Sequence, residues 1–150
     1  MTHDNTIDIR DARPADVPAL AALVAELGYP TPEATMAVRL DAMIDAGEKV
    51  LVAERDGDIV GLLTVHVTPV LHRPTAVGRL TALVVAERAR GAGVGRSLVA
   101  AAEQFLATRG CALVEVTSNR RRTDAHAFYQ RLGYDVTSLR FKKDLEATYA

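Results

Sequence analysis

A glycine-rich segment between an apolar run and an amphipathic helix limits what this chain can fold into more than any other feature. Leu80–Ala86 is apolar and rich in β-branched residues, which predicts a buried strand. Arg88–Gly95 is a short basic loop with three glycines. From Val94 onward, apolar residues recur at helical spacing. The sequence therefore predicts a strand, a glycine loop and the start of a helix, in that order.

A junction of this kind favours anion binding. The first amides of a helix have no acceptors within the helix and lie at the positive end of its dipole. Glycines lack a Cβ, so a phosphate can approach their backbone closely. Arg90 and Arg96 would add charged donors. We therefore predict that the loop binds a phosphate or pyrophosphate, the alternative being a tight turn without a ligand.

The spacing of the glycines narrows the choice of ligand. A P-loop requires Gly-Lys-Ser/Thr, and this loop has no lysine. The dinucleotide pattern G-x-G-x-x-G fails because its third glycine would fall at Arg96 or Leu98. The loop instead reads R-x-x-G-x-G over Arg90–Gly95, after the strand residues Leu83-Val84-Val85. This arrangement resembles the acetyl-CoA signature of the GNAT superfamily of N-acetyltransferases.

A second motif strengthens that resemblance. Ala125–Tyr134 is similar to the superfamily block A-x-x-F-Y-x-x-x-G-[FY], and it follows the glycine loop in the expected order. The resemblance covers essentially the whole chain. It implies one acetyltransferase domain over residues 1–150, with an α/β (α+β mixed) sheet of the GNAT fold whose central strands splay around acetyl-CoA.

Hydrophobic periodicity along the chain predicts the individual elements. The predicted strands cover residues 7–10, 49–54, 59–67, 77–86, 112–117, 134–136 and 139–141. The predicted helices start at Pro14, Pro32, Val94 and Ala125. The resulting order, β-α-α-β-β-β-α-β-α-β-β, requires at least one parallel crossover around the glycine-loop helix.

The resemblance also implies which residues bind acetyl-CoA. Tyr129 would lie near the cofactor sulfur and act as the general acid, because the thiolate leaving group benefits from a proton. The strand would offer backbone groups to the pantetheine chain, and the loop would bind the pyrophosphate. The residues matching these roles are Leu83, Val84, Val85, Arg90, Gly91, Ala92, Gly93, Val94, Gly95, Arg96, Ser97, Asn119 and Phe128.

The general base does not follow from the motifs. Many members of the superfamily place a glutamate on the central strand, but here Thr81 and Ala82 occupy the candidate positions and neither can act as a base. Glu115, on a later strand, and His66, on a strand near the central one, are the alternatives within the chain. A chain of water molecules that carries the proton away is the third possibility.

The loop 66–75 and the segments 124–129 and 140–145 resemble aminoalkylphosphonate and aminoglycoside acetyltransferases. This favours direct transfer of the acetyl group, through a tetrahedral intermediate, to a small-molecule primary amine. The alternatives are an N-terminal or lysine amine of a protein, or a non-catalytic acyl-CoA-binding domain. A Rossmann-type nucleotide domain is more distant.

Composition bears on the partners and the compartment. The net charge of −1 argues against nucleic acid as a partner. A single cysteine fits a reducing compartment, and neither a signal peptide nor a membrane span is visible. We therefore predict a cytoplasmic protein without a metal site, and the habit of the superfamily favours a homodimer.

Overall fold

The computed structural model describes residues 6–118 and 122–146, which group into two units that divide after Val116. The first unit holds the described strands and three helices, and the second holds the fourth helix. The strands are β1 (Asp8–Asp11), β2 (Lys49–Arg55), β3 (Asp58–Thr68), β4 (Val77–Val85) and β5 (Leu113–Val116). The helices are α1 (Val17–Leu27), α2 (Glu33–Asp45), α3 (Val94–Thr108) and α4 (Thr123–Arg131).

The sheet has five strands in the order β1-β2-β3-β4-β5. Neighbours from β1 to β4 are antiparallel, whereas β5 runs parallel to β4. Parallel neighbours need a crossover connection, and α3 supplies it between β4 and β5. The predicted mixed sheet and its crossover around the glycine-loop helix are thereby confirmed.

Two glycines allow α3 to pack closely against one face of the sheet. A Cβ built on Gly61 would lie 2.8 Å from a methyl carbon of Val94, and one on Gly78 would lie 2.7 Å from Leu106. Side chains alternate between the two faces of a strand, so Leu62 and Thr64 point to the opposite face. There they line a cavity together with residues of α1 and α2. The sheet is thus covered by α3 on one side and by α1 and α2 on the other.

The register of the sheet shifts by one residue at two places. Between β2 and β3 the shift falls at Ala53/Glu54, and between β3 and β4 it falls at Thr64/Val65. The second shift leaves Thr81 as an extra residue on β4, because Thr64 faces Ala82 while Val65 faces Leu80. A bulge changes which side chains are neighbours from that point onward.

The prediction of two closing strands, at Tyr134–Val136 and Leu139–Phe141, is wrong. Both segments lie within the described residues, and neither pairs with another strand there. Val136, Leu139 and Phe141 are 79%, 83% and 88% exposed. A run of three residues gains strand stability from cross-strand pairs and from burial of one face, and both are missing here. Separately, no helix within residues 6–118 and 122–146 has the length and apolarity needed to cross a membrane.

Candidate active site

A short 3₁₀ turn over Glu87–Ala89 joins β4 to the glycine residues, which lead into α3, in the order that the sequence predicts. Gly91 and Gly93 adopt φ angles of 82° and 83°, in the left-handed region that favours glycine. A Cβ built on either residue would have no atom within 4 Å, so the space above this backbone is open. The loop therefore forms an open concave turn whose conformation depends on glycine.

Several amides at this turn are available to a ligand. Ser97 is the first residue of α3 whose amide has a backbone acceptor, the Gly93 carbonyl oxygen at 3.0 Å. The amides of residues 91–96 have no hydrogen-bond partner among the described residues, and no side chain caps α3. Arg90 and Arg96 are exposed, and their guanidinium groups have no hydrogen-bond partner within that part of the chain. This donor set fits the pyrophosphate of coenzyme A, which the loop could bind without rearranging.

Among residues 6–118 and 122–146, nothing pairs with one edge of the end of β4. Its pairing with β5 stops at Leu80/Val116, although its pairing with β3 continues to Val85/Gly61. The Ala86 amide donates to Val60 on the β3 side, at 2.9 Å. Because donors alternate along an antiparallel strand, the amides of Leu83 and Val85 point to the open edge. This part of the first unit has the splayed geometry that the resemblance implies, with backbone donors along it.

A largely apolar cavity of about 210 Å³ lies on the face that α1 and α2 cover. Leu20 of α1 and Leu40 of α2 contribute to its walls, and Arg39 adds a guanidinium group. Thr64 and Ala82 line it from the sheet. Ala82 directly precedes the open end of β4, so the cavity adjoins the strand segment predicted to contact the pantetheine chain.

Four charged or titratable side chains form a row across this same face. His66 is in register with Arg79, and Arg79 is in register with Glu115. On the other side of His66, its Nδ1 is hydrogen-bonded to the Glu48 carboxylate. Thus the structure places His66 and Glu115 on one face but two strands apart, which is about 10 Å at the usual strand spacing. Of the predicted bases, His66 has an orienting partner, and Glu115 has none among the described residues.

Sequence reasoning missed Glu48, which directly precedes β2. A signal for it exists in the dipeptide Asp56-Gly57 between β2 and β3, which is typical of a hairpin turn, because pairing can be counted backward from a hairpin. Without a bulge that count pairs Glu48 with Val65 rather than His66. The register shift at Ala53/Glu54 moves the pairing along by one residue, which brings Glu48 beside His66 instead.

The general-acid candidate Tyr129 lies on α4, in the second unit. Its ring is half-buried and contacts Phe128 and Tyr134 edge to face, with centroids 5.2 Å and 5.8 Å apart. Burial raises the pKa of Tyr129 above its ordinary value, and the positive charge of Arg122 partly opposes this. The phenol therefore stays protonated at neutral pH, as a proton donor must. The predicted contact Asn119 lies outside the described residues.

Comparison with known proteins bears on the whole chain. The sequence model of the acetyltransferase (GNAT) family matches residues 17–134. The aminoalkylphosphonate N-acetyltransferase of Salmonella typhimurium is 33% identical over 143 residues, which cover 92% of this chain and 91% of that protein. The aminoglycoside N(6')-acetyltransferase type 1 of Stenotrophomonas maltophilia is 31% identical over 133 residues, covering 86% of each chain.

The fold agrees with these sequence matches. The solved structure of an aminoglycoside N-acetyltransferase in complex with CoA superposes with a TM-score of 0.83 and 19% identity, over 93% of this chain and 95% of that one. The glycine loop and the block around Tyr129 both lie within the matched range 17–134. The chain therefore belongs to the acetyltransferase (GNAT) family and is an acetyl-CoA-dependent N-acetyltransferase.

Proposed function

We propose that this enzyme transfers the acetyl group of acetyl-CoA to a small-molecule primary amine by direct attack through a tetrahedral intermediate. The observation that carries the proposal is the cavity between α1, α2 and the sheet. Its volume of about 210 Å³ is below the roughly 300–1,000 Å³ of sites for drug-sized ligands. A small amine held beside Ala82 would lie next to the open end of β4.

The charges around the cavity favour an amine that also carries an anionic group. Arg39 lines the cavity, and its guanidinium donates a weak hydrogen bond to Thr31 Oγ1 at 3.5 Å. Arg79 lies in the neighbouring polar row. An apolar cavity with guanidinium groups nearby suits an aminoalkylphosphonate, the substrate class in the name of the Salmonella relative, better than a polycationic aminoglycoside.

In this proposal the chain's own groups divide the chemistry. The amides of residues 91–96 and the two loop arginines hold the pyrophosphate, and the Leu83 or Val85 amide donates to the thioester oxygen as it becomes an oxyanion. Tyr129 gives a proton to the departing sulfur. Apolar cavity walls exclude water from the attacking amine, which limits hydrolysis.

Thermal unfolding with acetyl-CoA tests the cofactor site, and an amine panel tests the substrate class. At a hundredfold excess over its dissociation constant, a ligand adds about 2.7 kcal/mol to the free energy of unfolding. We expect the midpoint to rise by roughly 5–10 °C with acetyl-CoA and not with NAD. Thiol release with 2-aminoethylphosphonate, kanamycin and a peptide with a free N-terminus then ranks the amines. Binding without turnover of any amine would indicate a non-catalytic acyl-CoA-binding domain, and turnover of the peptide alone would indicate a protein acetyltransferase.

The proposal also covers the compartment and the oligomeric state of the enzyme. We propose that the chain is one acetyltransferase domain, which acts in the cytoplasm as a homodimer, on free amines rather than on nucleic acid or membranes. The net charge of −1 and the single cysteine support this setting. Light scattering on the purified protein tests the dimer, and a monomeric mass at working concentration would contradict it.

A further inference from the structure

Glu48 and His66 form a carboxylate–imidazole pair on the sheet face that bears the cavity. Glu48 lies directly before β2, and its Oε1 is hydrogen-bonded to His66 Nδ1. A carboxylate at Nδ1 favours the tautomer with the proton on that nitrogen and leaves the lone pair on Nε2. No other hydrogen bond ties the imidazole to a described residue. Nε2 is therefore free to accept a proton from a ligand.

The position of the pair suits a group that acts on the acceptor amine. Thr64, which lines the cavity, points to the same face two residues before His66. A step of two residues along a strand is about 6.8 Å, so the imidazole lies just beyond the cavity. The His66 side chain is 43% exposed and that of Glu48 is 20% exposed. A partly buried carboxylate thus orients an imidazole that can exchange protons with solvent.

Other charged groups surround the pair. His66 contacts Glu48 on one side and is in register with Arg79 on the other, and Glu115 follows Arg79 on β5. Of the helices over this face, α2 brings Arg39 to the cavity, whereas α1 contributes only apolar residues to it. Among these groups Glu48 is the one that contacts the imidazole.

We infer that His66 takes the proton from the acceptor amine and that Glu48 is the residue that positions it. This assignment rests on the proposed function, since it names the base of that reaction. The bound ammonium gives one proton to His66 Nε2, and the neutral nitrogen then forms the C–N bond as the C–S bond breaks. Tyr129 protonates the sulfur and recovers the second nitrogen proton through solvent. His66 returns its proton to water, so the reaction releases one proton overall.

Three variants test the assignment in the full-length protein: His66→Gln, Glu48→Gln and, as a matched control, His72→Gln in the exposed loop before β4. Thiol release with 2-aminoethylphosphonate is followed as a function of pH. We expect His66→Gln to lose about 10²-fold or more in kcat/KM, together with the acidic limb of the pH profile. Glu48→Gln should lose roughly 10-fold and shift that limb. The control should match the wild type.

Two readouts separate catalysis from structure. The midpoint shift caused by acetyl-CoA should persist in both active-site variants, and ¹⁵N NMR of the wild-type imidazole should show the Nδ1-protonated tautomer, which Glu48→Gln weakens. If His66→Gln is unstable, His66→Asn replaces it. Wild-type kcat/KM and an unchanged pH profile in the His66 variant would overturn the assignment, as would an Nε2-protonated ring. Wild-type protein that acetylates no amine would overturn the proposed function and this inference with it.

Discussion

At the scale of single residues, the environment of Tyr129 decides what the phenol can do. A free phenol titrates near pH 10, and burial raises the pKa of Tyr129 above that value. The thiol of coenzyme A has a lower pKa than a phenol, so the proton passes to a developing thiolate only as the C–S bond breaks. The residue is therefore suited to donate at the end of the reaction rather than to act as a base at its start.

Replacing Tyr129 with phenylalanine removes the proton donor and keeps the ring. We expect kcat to fall by about 10²-fold, because general acid catalysis contributes that much or more. The affinity for acetyl-CoA should change by less than about twofold, since the phenol contributes to leaving-group departure rather than to binding. Steady-state thiol release gives kcat, and calorimetric titration gives the affinity.

The matched control for this change is Tyr29→Phe, because Tyr29 is 66% exposed and lies outside the proposed machinery. Its kcat should equal that of the wild type. In the wild type, the acid should remain functional up to pH 10, because its pKa is raised. A wild-type kcat in the Tyr129 variant would mean that water or another group protonates the sulfur.

At the scale of elements, the glycine loop and α3 act together. The first turn of α3 presents unpaired amides, and Gly61 lets this turn approach β3, since Val94 and Leu98 occupy the space of a Cβ there. The left-handed backbone at Gly93 directs the chain from the loop into the helix. We therefore expect anion binding to depend on the whole junction rather than on any one side chain.

The substitution Gly93→Asp places a side chain and a negative charge in this junction. We expect loss of detectable acetyl-CoA binding, because the carboxylate would occupy and repel the pyrophosphate site. The acetyl-CoA-dependent rise in the unfolding midpoint is the measurement. The protein without ligand should lose only about 1–2 kcal/mol, which is the cost of a left-handed conformation for a residue other than glycine.

Gly110→Asp is the control for that backbone cost. Gly110 follows α3 with a φ of 80° and equally open space around a built Cβ, but it lies at the other end of the helix. The control should show a similar loss of stability and a full response to acetyl-CoA. A normal response in Gly93→Asp would show that the pyrophosphate binds elsewhere.

At the scale of the whole first unit, a network around Arg10 connects the first strand to its neighbours. Arg10 donates to both carboxylate oxygens of Asp16, at 2.8 and 2.9 Å, and to Glu54 on β2 at 3.1 Å. Asp16 also accepts the Arg13 amide at 2.8 Å. The hydrogen bonds from Arg10 lower the pKa of Asp16 below its ordinary value. The network thus links β1, β2 and the turn before α1.

Asp16→Asn removes the ion pair with Arg10 but leaves Arg10 bonded to Glu54. It should therefore lower the free energy of unfolding by roughly 1.5–3 kcal/mol at pH 7, the range for hydrogen bonds to charged groups. Because the pKa of Asp16 is lower in the folded than in the unfolded state, its stabilisation is complete above about pH 5. It is lost as the pH falls through the folded-state value. Urea unfolding from pH 7 to pH 3 should show the gap between wild type and variant narrowing on acidification.

Asp41→Asn, on the exposed side of α2, controls for the general effect of removing a carboxylate. It should change the free energy of unfolding by less than about 0.5 kcal/mol at each pH. A gap between wild type and Asp16→Asn that stays constant, or widens, on acidification would contradict the proposed role of the ion pair.

The parts of the fold and site that could be predicted depend on local sequence. Helical and strand periodicity located the helices and the strands β1 to β5. The glycine loop was recognisable because its left-handed conformation depends on Gly91 and Gly93, which lie only two residues apart in the sequence. The segments 134–136 and 139–141 have the composition of strands but not the pairing, which no local pattern contains. The catalytic role of Tyr129 and the organisation of the chain as a single domain stay predictions.

The sequence by itself determined the junction that we propose binds acetyl-CoA, because its conformation and charge come from consecutive residues. Only the tertiary structure decided which side chains meet beside His66, the proposed base. Glu48 is 18 residues from its partner His66, and Arg79 reaches the same row from a third strand. One-residue register shifts bring both beside the imidazole. A shift of one residue turns a side chain to the opposite face of a sheet, so the bulges, rather than the residue types alone, decide whether this polar row exists.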